Sequence, residues 1–338
     1  MLPVLLIAIA CDIQSSLREL EQVSGLKTHK RVRHETIARG DVERFLKTRV
    51  KEVTRPEEIR AEEITLKKLG FVPADFNLET TTVDLLAEQA AAFYDFRKRR
   101  LFLIDVGSAD MREMALVHEL AHALADQNFR LERFLKQAGR SDDGALARLA
   151  VMEGQASWLT AEVLARQRSD TLVGQAAAIE RLMESTASGA AQFPVFNTVP
   201  LYLRETLVFP YTHGMRFQHA LVERLGQAAF AEIFRRPPAS TQQILHPEKY
   251  FAGVLPSEPA PPRMARSRGF KSLAQGSLGE LDHMILLRQY ATRAEADEVA
   301  PRLRGGAYAV WERKSDARFV LGYVSEWDTE DVARRFFG

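Results

Sequence analysis

The stretch Leu116-Val117-His118-Glu119-Leu120-Ala121-His122-Ala123-Leu124-Ala125-Asp126 limits what this chain can become more than any other. Its spacing predicts the middle of a long helix from about Asp110 to Gln127, apolar on nearly every side and therefore a core helix. An α-helix turns about 100° per residue, so His118 and His122 project from one face, one turn apart, and can grip one metal ion together. Glu119 lies to the side of that pair, where its carboxylate can take a proton from a metal-held water. Two imidazoles and a carboxylate are expensive in an apolar helix unless they have partners, and a metal serves all three. The plain alternative leaves both histidines hydrogen-bonded to carbonyls and Glu119 at the surface.

A tetrahedral catalytic zinc takes three protein ligands and leaves one position for water. The third ligand is expected on a second apolar helical stretch, Ala145 to Leu159, whose only acid is Glu153. Val151, Met152, Ala156 and Leu159 surround that acid, which argues against a solvated surface charge. Gly154 and Ala156 suit a close helix contact. The connection from Asn128 to Gly144 is long enough for an antiparallel return.

His118-Glu119-Leu120-Ala121-His122-Ala123-Leu124-Ala125-Asp126, followed by Glu153-Gly154-Gln155-Ala156, resembles the gluzincin branch of the zincin metallopeptidases, which includes the thermolysin-like enzymes. The resemblance covers about Ala91 to Leu159. It implies a fold in which two helices supply His, His and Glu and a β-sheet edge beside the first helix holds the substrate. It implies one Zn²⁺ held by His118, His122 and Glu153, with Glu119 as general base. Asp126 matches an acid of the thermolysin-like enzymes and is a candidate to support a ligand from behind. The clan often carries an acid four residues after the ligand glutamate; here that position is Ser157, a weaker hydrogen-bond acceptor for orienting His118.

A hairpin is expected just before the metal-binding helix, from Ala92-Phe93-Tyr94-Asp95 and Arg100-Leu101-Phe102-Leu103-Ile104-Asp105. In zincins the strand preceding this helix is the edge on which an extended peptide lies as one more strand. The chemistry also needs a donor facing the metal to hold the developing oxyanion. Tyr211 and His213 are the candidates, in Phe209-Pro210-Tyr211-Thr212-His213-Gly214-Met215. Pro210 there is expected in the first turn of a helix reaching about Leu225. His219, His246 and Tyr250 are weaker candidates.

The rest of the chain frames this centre. Lys and Arg number 46 against 45 Asp and Glu, a net charge of +1, which argues against nucleic acid as the main partner. The basic run Lys27 to Arg33 reads as a solvated strand or loop. Cys11 is the single cysteine, so no disulfide forms within the chain. It follows the apolar run Leu2 to Ala10, too short to span a membrane. Ala8-Ile9-Ala10-Cys11 is similar to a bacterial lipoprotein box, although no Lys or Arg precedes it. Membrane attachment through Cys11 in the cell envelope therefore stands beside a cytoplasmic location.

The expected fold class is α+β, predominantly helical, with a zincin-like core. Residues 1–11 form the signal or lipoprotein segment and 12–70 a helical N-terminal region, with helices from Asp41 to Val53 and from Pro56. The metallopeptidase core spans 71–255, with a helix near Thr80 to Ala91 and helical pattern through Thr171 to Met183. A Pro-rich linker occupies 256–265. A small α+β lobe, 266–338, carries helices Ser277 to Tyr290, Thr292 to Val299 and Thr329 to Phe337. Its strands are Ala307 to Trp311 and Phe319 to Val324. The function expected is hydrolysis of peptide bonds in a peptide or protein substrate. The rivals are a zincin-fold protein that binds polypeptide or envelope partners without cleaving them, and a helical interaction protein with no metal.

Overall fold

The computed structural model describes residues 2–42, 44–45, 55–89, 92–104, 108–139, 141–261, 263–264 and 269–338. Its first helix, α1 (Leu2–Ser24), is followed by strand β1 (Arg33–Ile37), α2 (Pro56–Leu69) and α3 (Leu78–Gln89). The hairpin β2 (Ala92–Asp95) and β3 (Arg100–Ile104) leads into α4 (Ala109–Phe129), the short α5 (Leu131–Lys136) and α6 (Asp142–Arg166). Then come α7 (Ala176–Ala190), α8 (Pro194–Thr198), α9 (Leu201–Leu225), α10 (Ala229–Arg235), α11 (Thr241–Leu245) and α12 (Pro247–Phe251). The last part holds β4 (Phe270–Leu278), α13 (Glu280–Tyr290), α14 (Arg293–Val299), β5 (Leu303–Arg313), β6 (Phe319–Trp327) and α15 (Glu330–Phe337). The protein is thus α+β and predominantly helical, with two three-stranded sheets among the described residues.

The helices that matter most are capped as their sequences demand. Ser108 and Ser141 stand before α4 and α6 and accept hydrogen bonds from the amides of Met111 and Gly144, donors that the first helical turn leaves unpaired. Pro56 opens α2, where its missing N–H costs nothing, and Gly70 closes it at a φ of 81°. Helix α4 stops because Arg130 turns left-handed and Asp126 Oδ1 accepts the Leu131 amide at 2.9 Å.

Helix α9 departs from expectation. Pro210 lies in its interior rather than its first turn, since the helix begins nine residues earlier, at Leu201. Proline forfeits one backbone hydrogen bond there. The burial of Phe209, Thr212, Met215 and Phe217 around it compensates. The strand order also corrects the sequence reading. The sheet runs β1-β3-β2, so β3, the strand directly before α4, is central and β2 is the edge beside the helix. The added strand, β1, pairs in parallel with β3 and was hidden by its polar sequence Arg-His-Glu-Thr-Ile. In the C-terminal part, Ser277 belongs to strand β4, not to a helix; Gly279 separates that strand from α13.

One apolar cluster runs through Leu17 and Leu20 of α1, Leu120 and Leu124 of α4, Trp158 of α6 and Phe217 and Leu221 of α9. It continues into Leu281 and Ile285 of α13 and Val310 of β5, across the Pro-rich segment. Helix α1 is continuous across Cys11 and Asp12, where a segment boundary was expected, and no described helix is long and apolar enough to cross a membrane. The Cys11 side chain lies outside what the structure describes. So does most of the helix expected from Asp41 to Val53, of which Asp41 itself ends a 3-10 turn.

Candidate metal centre

Helix α4 presents His118 and His122 as its spacing requires, with ring centroids 4.7 Å apart and the rings nearly perpendicular. Helix α6 packs alongside α4 and carries Glu153 to them. Three ligand atoms meet in an almost equilateral triangle: His122 Nε2 to His118 Nε2 is 3.1 Å, and Glu153 Oε2 is 3.2 Å from each nitrogen. All three groups are largely buried, with side-chain exposures of 17%, 9% and 11% for His118, His122 and Glu153.

A triangle of this kind is hard to satisfy with protons. If each nitrogen donates to the carboxylate, the two N–H groups oppose each other at 3.1 Å; if either does not, one of its contacts lacks a hydrogen. A cation at the centre satisfies all three atoms at once. Tetrahedral zinc with bonds of 2.0–2.1 Å separates its nitrogen and oxygen ligands by about 3.3 Å, close to what this triangle shows. The donor set, two imidazoles and a carboxylate, is one that zinc accepts in hydrolytic sites. The residues present therefore fit the metal.

The electrostatics follow from that crowding. Burial opposes a charge on His122, but the Glu153 carboxylate and Glu119 behind it prevail and push the imidazole up to about 9. Burial likewise opposes ionisation of Glu153, and the two imidazoles overcome it, holding the carboxyl well below the usual range. The pair favours a cation between these groups.

Glu119 is placed differently. Its carboxylate lies within 4.8 Å of the histidine ligand atoms, and Oε2 accepts the amide of Tyr94 on the β2 edge at 2.5 Å. Glu153, in contact with both imidazoles, is thus suited to be the third ligand, and Glu119, held toward the sheet, to be the base. Tyr94 ties the same edge to α4 a second time, its hydroxyl donating to Asp126 Oδ2 at 3.1 Å. Asp126 spends its other oxygen on the Leu131 amide and lies 3.9 Å from Arg99 Nε. It anchors the edge strand and the helix end rather than a histidine. No hydrogen bond joins Ser157, half-buried on α6, to either imidazole, and His122 Nδ1 is buried without a partner.

The two oxyanion candidates separate. Tyr211 reaches the cluster: its ring stacks at 6.0 Å from the His118 ring, and the Glu153 carboxylate acts on its phenol. The negative charge of Glu153, followed by burial, raises the phenol well above its ordinary value and keeps it a hydrogen donor. His213, two residues on, is about 200° round the same helix. Its partner is Arg216, at 3.2 Å, and burial with Arg216 and Arg288 nearby pushes it down to about 3. His219 accepts from the Trp158 indole at 3.3 Å, His246 pairs with Glu280 at 2.7 Å, and Tyr250 donates to the Arg236 carbonyl at 2.7 Å. The partners of these three lie outside the His118, His122 and Glu153 triangle.

Two features around this cluster escaped the sequence reading, although Gly154 was read as suiting a close helix contact. The first is Tyr94, which no motif marks. The second is the pairing of Gly154 with Gly214: a Cβ on Gly154 would lie 2.1 Å from the Gly214 carbonyl carbon, and one on Gly214 would lie 2.3 Å from the Ala150 carbonyl oxygen. That close crossing of α6 and α9 brings Tyr211 to Glu153. Compared with protein-family models, curated proteins and solved structures, the chain gives no match.

Proposed function

We propose that this protein is a zinc-dependent metallopeptidase with a zincin-like core, holding one Zn²⁺ through His118, His122 and Glu153. The observation that carries the reading is the triangle of three ligand atoms at 3.1–3.2 Å with Glu119 beside it. Zinc in such a site brings a bound water's pKa toward neutrality and polarises a carbonyl. Glu119 takes the proton of the attacking water and passes it to the leaving amine. The Tyr211 hydroxyl donates to the oxygen that becomes negative as the peptide carbonyl turns tetrahedral. The β2 edge offers main-chain groups to an extended peptide. Metal analysis of the purified protein, combined with digestion of a peptide library, tests the whole: about one zinc per chain and chelator-sensitive cleavage are expected, and a chain free of zinc refutes it.

A second reading rests on the bond from the Tyr94 amide to Glu119, which occupies the base. In it the centre is a zinc-bound scaffold that holds polypeptide without cleaving it. Zinc at one per chain with no cleavage of any library peptide would favour this reading.

A further inference from the structure

A cleft of about 580 Å³ lies outside the histidine cluster, between the start of α6, the Pro237–Ser240 turn, the Pro-rich segment and the adjoining ends of β4 and β5. Its volume is that of a small-molecule site. Glu280, the first residue of α13, lines it and is 1% exposed. Its Oε1 pairs with His246 Nε2 at 2.7 Å, while Oε2 is buried with no hydrogen-bond partner. Ser257 lines the same cleft. Its amide donates to the Arg304 carbonyl at 2.8 Å, and its Oγ is buried and unpartnered as well.

Acidic side chains gather behind these two atoms. Asp143 Oδ1 accepts from the Thr241 amide at 3.0 Å and from its hydroxyl at 2.6 Å. Asp142 accepts from the Tyr308 hydroxyl at 2.7 Å and Asp282 from the Gly279 amide at 2.7 Å. All these donors are neutral, and His246 is the one basic group in contact with the four acids among the described residues. The acid oxygens do not converge as metal ligands do; among the described residues that convergence belongs to His118 and His122 with Glu119 and Glu153. The walls are apolar ring edges, from Pro237, Pro238, Pro256, Pro259 and Pro261. Of the two arginines in the wall, Arg148 is engaged with the Phe134 carbonyl and ring, and Arg304 is exposed.

We propose that this cleft binds a small organic cation, an ammonium or guanidinium head on an aliphatic stem, whose N–H groups meet Glu280 Oε2 and Ser257 Oγ. A buried carboxylate oxygen without a donor calls for one, and a charged donor answers it best. The prolines suit the stem. This site is independent of the metal, so it stands whether or not the peptidase reading does.

The test is calorimetric titration of the full chain with butylguanidinium and with butylurea, which has nearly the same shape and no charge. Butylguanidinium binds one per chain, and butylurea binds about tenfold or more weakly. In Glu280→Gln the affinity for butylguanidinium falls by about tenfold or more, with zinc content unchanged. Absence of binding to the unaltered protein, equal binding of the two probes, or undiminished affinity in Glu280→Gln overturns the assignment. Should that variant not fold, Ser257→Ala carries the test, and undiminished affinity there overturns it equally.

Discussion

Gly154 and Gly214 face each other across the α6–α9 crossing with no room for a single methyl group between the two backbones. Gly154 follows Glu153 directly, and Gly214 lies three residues past Tyr211. Contact between helices at this point therefore fixes the distance between Tyr211 and Glu153. Gly154→Ala is expected to force the helices apart, destabilising the protein by about 3 kcal/mol or more. Gly189→Ala, near the end of α7 with open space around it, should be neutral or stabilising by up to about 1 kcal/mol. Thermal melts of the two variants make the comparison.

Glu119→Gln should retain zinc and lose turnover by about 10³-fold, since the amide cannot accept the water's proton. His118→Ala should lose both. Metal content and peptide cleavage on the same preparations check this, and activity surviving in Glu119→Gln would exclude Glu119 as the base.

Tyr211→Phe removes the hydroxyl, buried near the Glu153 charge, and leaves the ring against His118. Its kcat should fall by about 10²-fold with zinc retained. His213→Asn should leave kcat within about twofold, because His213 faces Arg216 rather than the cluster. Steady-state kinetics on both variants decide which residue holds the oxyanion.

Zinc should stabilise the fold by an amount that grows with the logarithm of its free concentration above Kd, about 2.7 kcal/mol at one hundred times Kd. Chelation reverses the gain. Melting curves with zinc, with chelator and for His118→Ala give the comparison, and the variant should show no shift.

The pH dependence of stability should carry a mark from Asp282. Burial, with Asp143 beside it, pushes its carboxyl up to about 8, whereas in the unfolded chain it titrates near about 3.9. Between those values the folded state holds a proton that the unfolded state releases. The contribution is complete below about pH 4 and declines as pH rises through 8. Asp282→Asn should flatten that decline, and denaturant midpoints from pH 5 to 9 measure it. An unchanged slope would mean that the carboxyl is already ionised in the folded protein.

Helix α4 and its partner α6 were legible because their information is local: apolar residues at helical spacing mark both, and fixed spacing puts His118 over His122. What failed depended on neighbours distant in sequence. Strand β1 reads as polar because Arg33 and Glu35 are exposed, and only its pairing with β3 makes it a strand. Pro210 was read by its commonest helical position, yet the packing around it extends the helix past it. Tyr211 and His213 are two residues apart in a sequence and on opposite sides of a helix, so choosing between them required knowing which side α6 occupies. Nothing local distinguishes the buried Asp282 from a surface acid.

The apolar cluster shared by α1, α4, α6, α9 and α13 has a practical consequence for dissecting this molecule. Severing the backbone within the Pro-rich segment would strip the cover from Leu281 and Ile285 on one fragment and from their neighbours on the other. Neither fragment would keep a closed interior. The two halves should lose their structure together, in one cooperative melt, and recombine only as a pair.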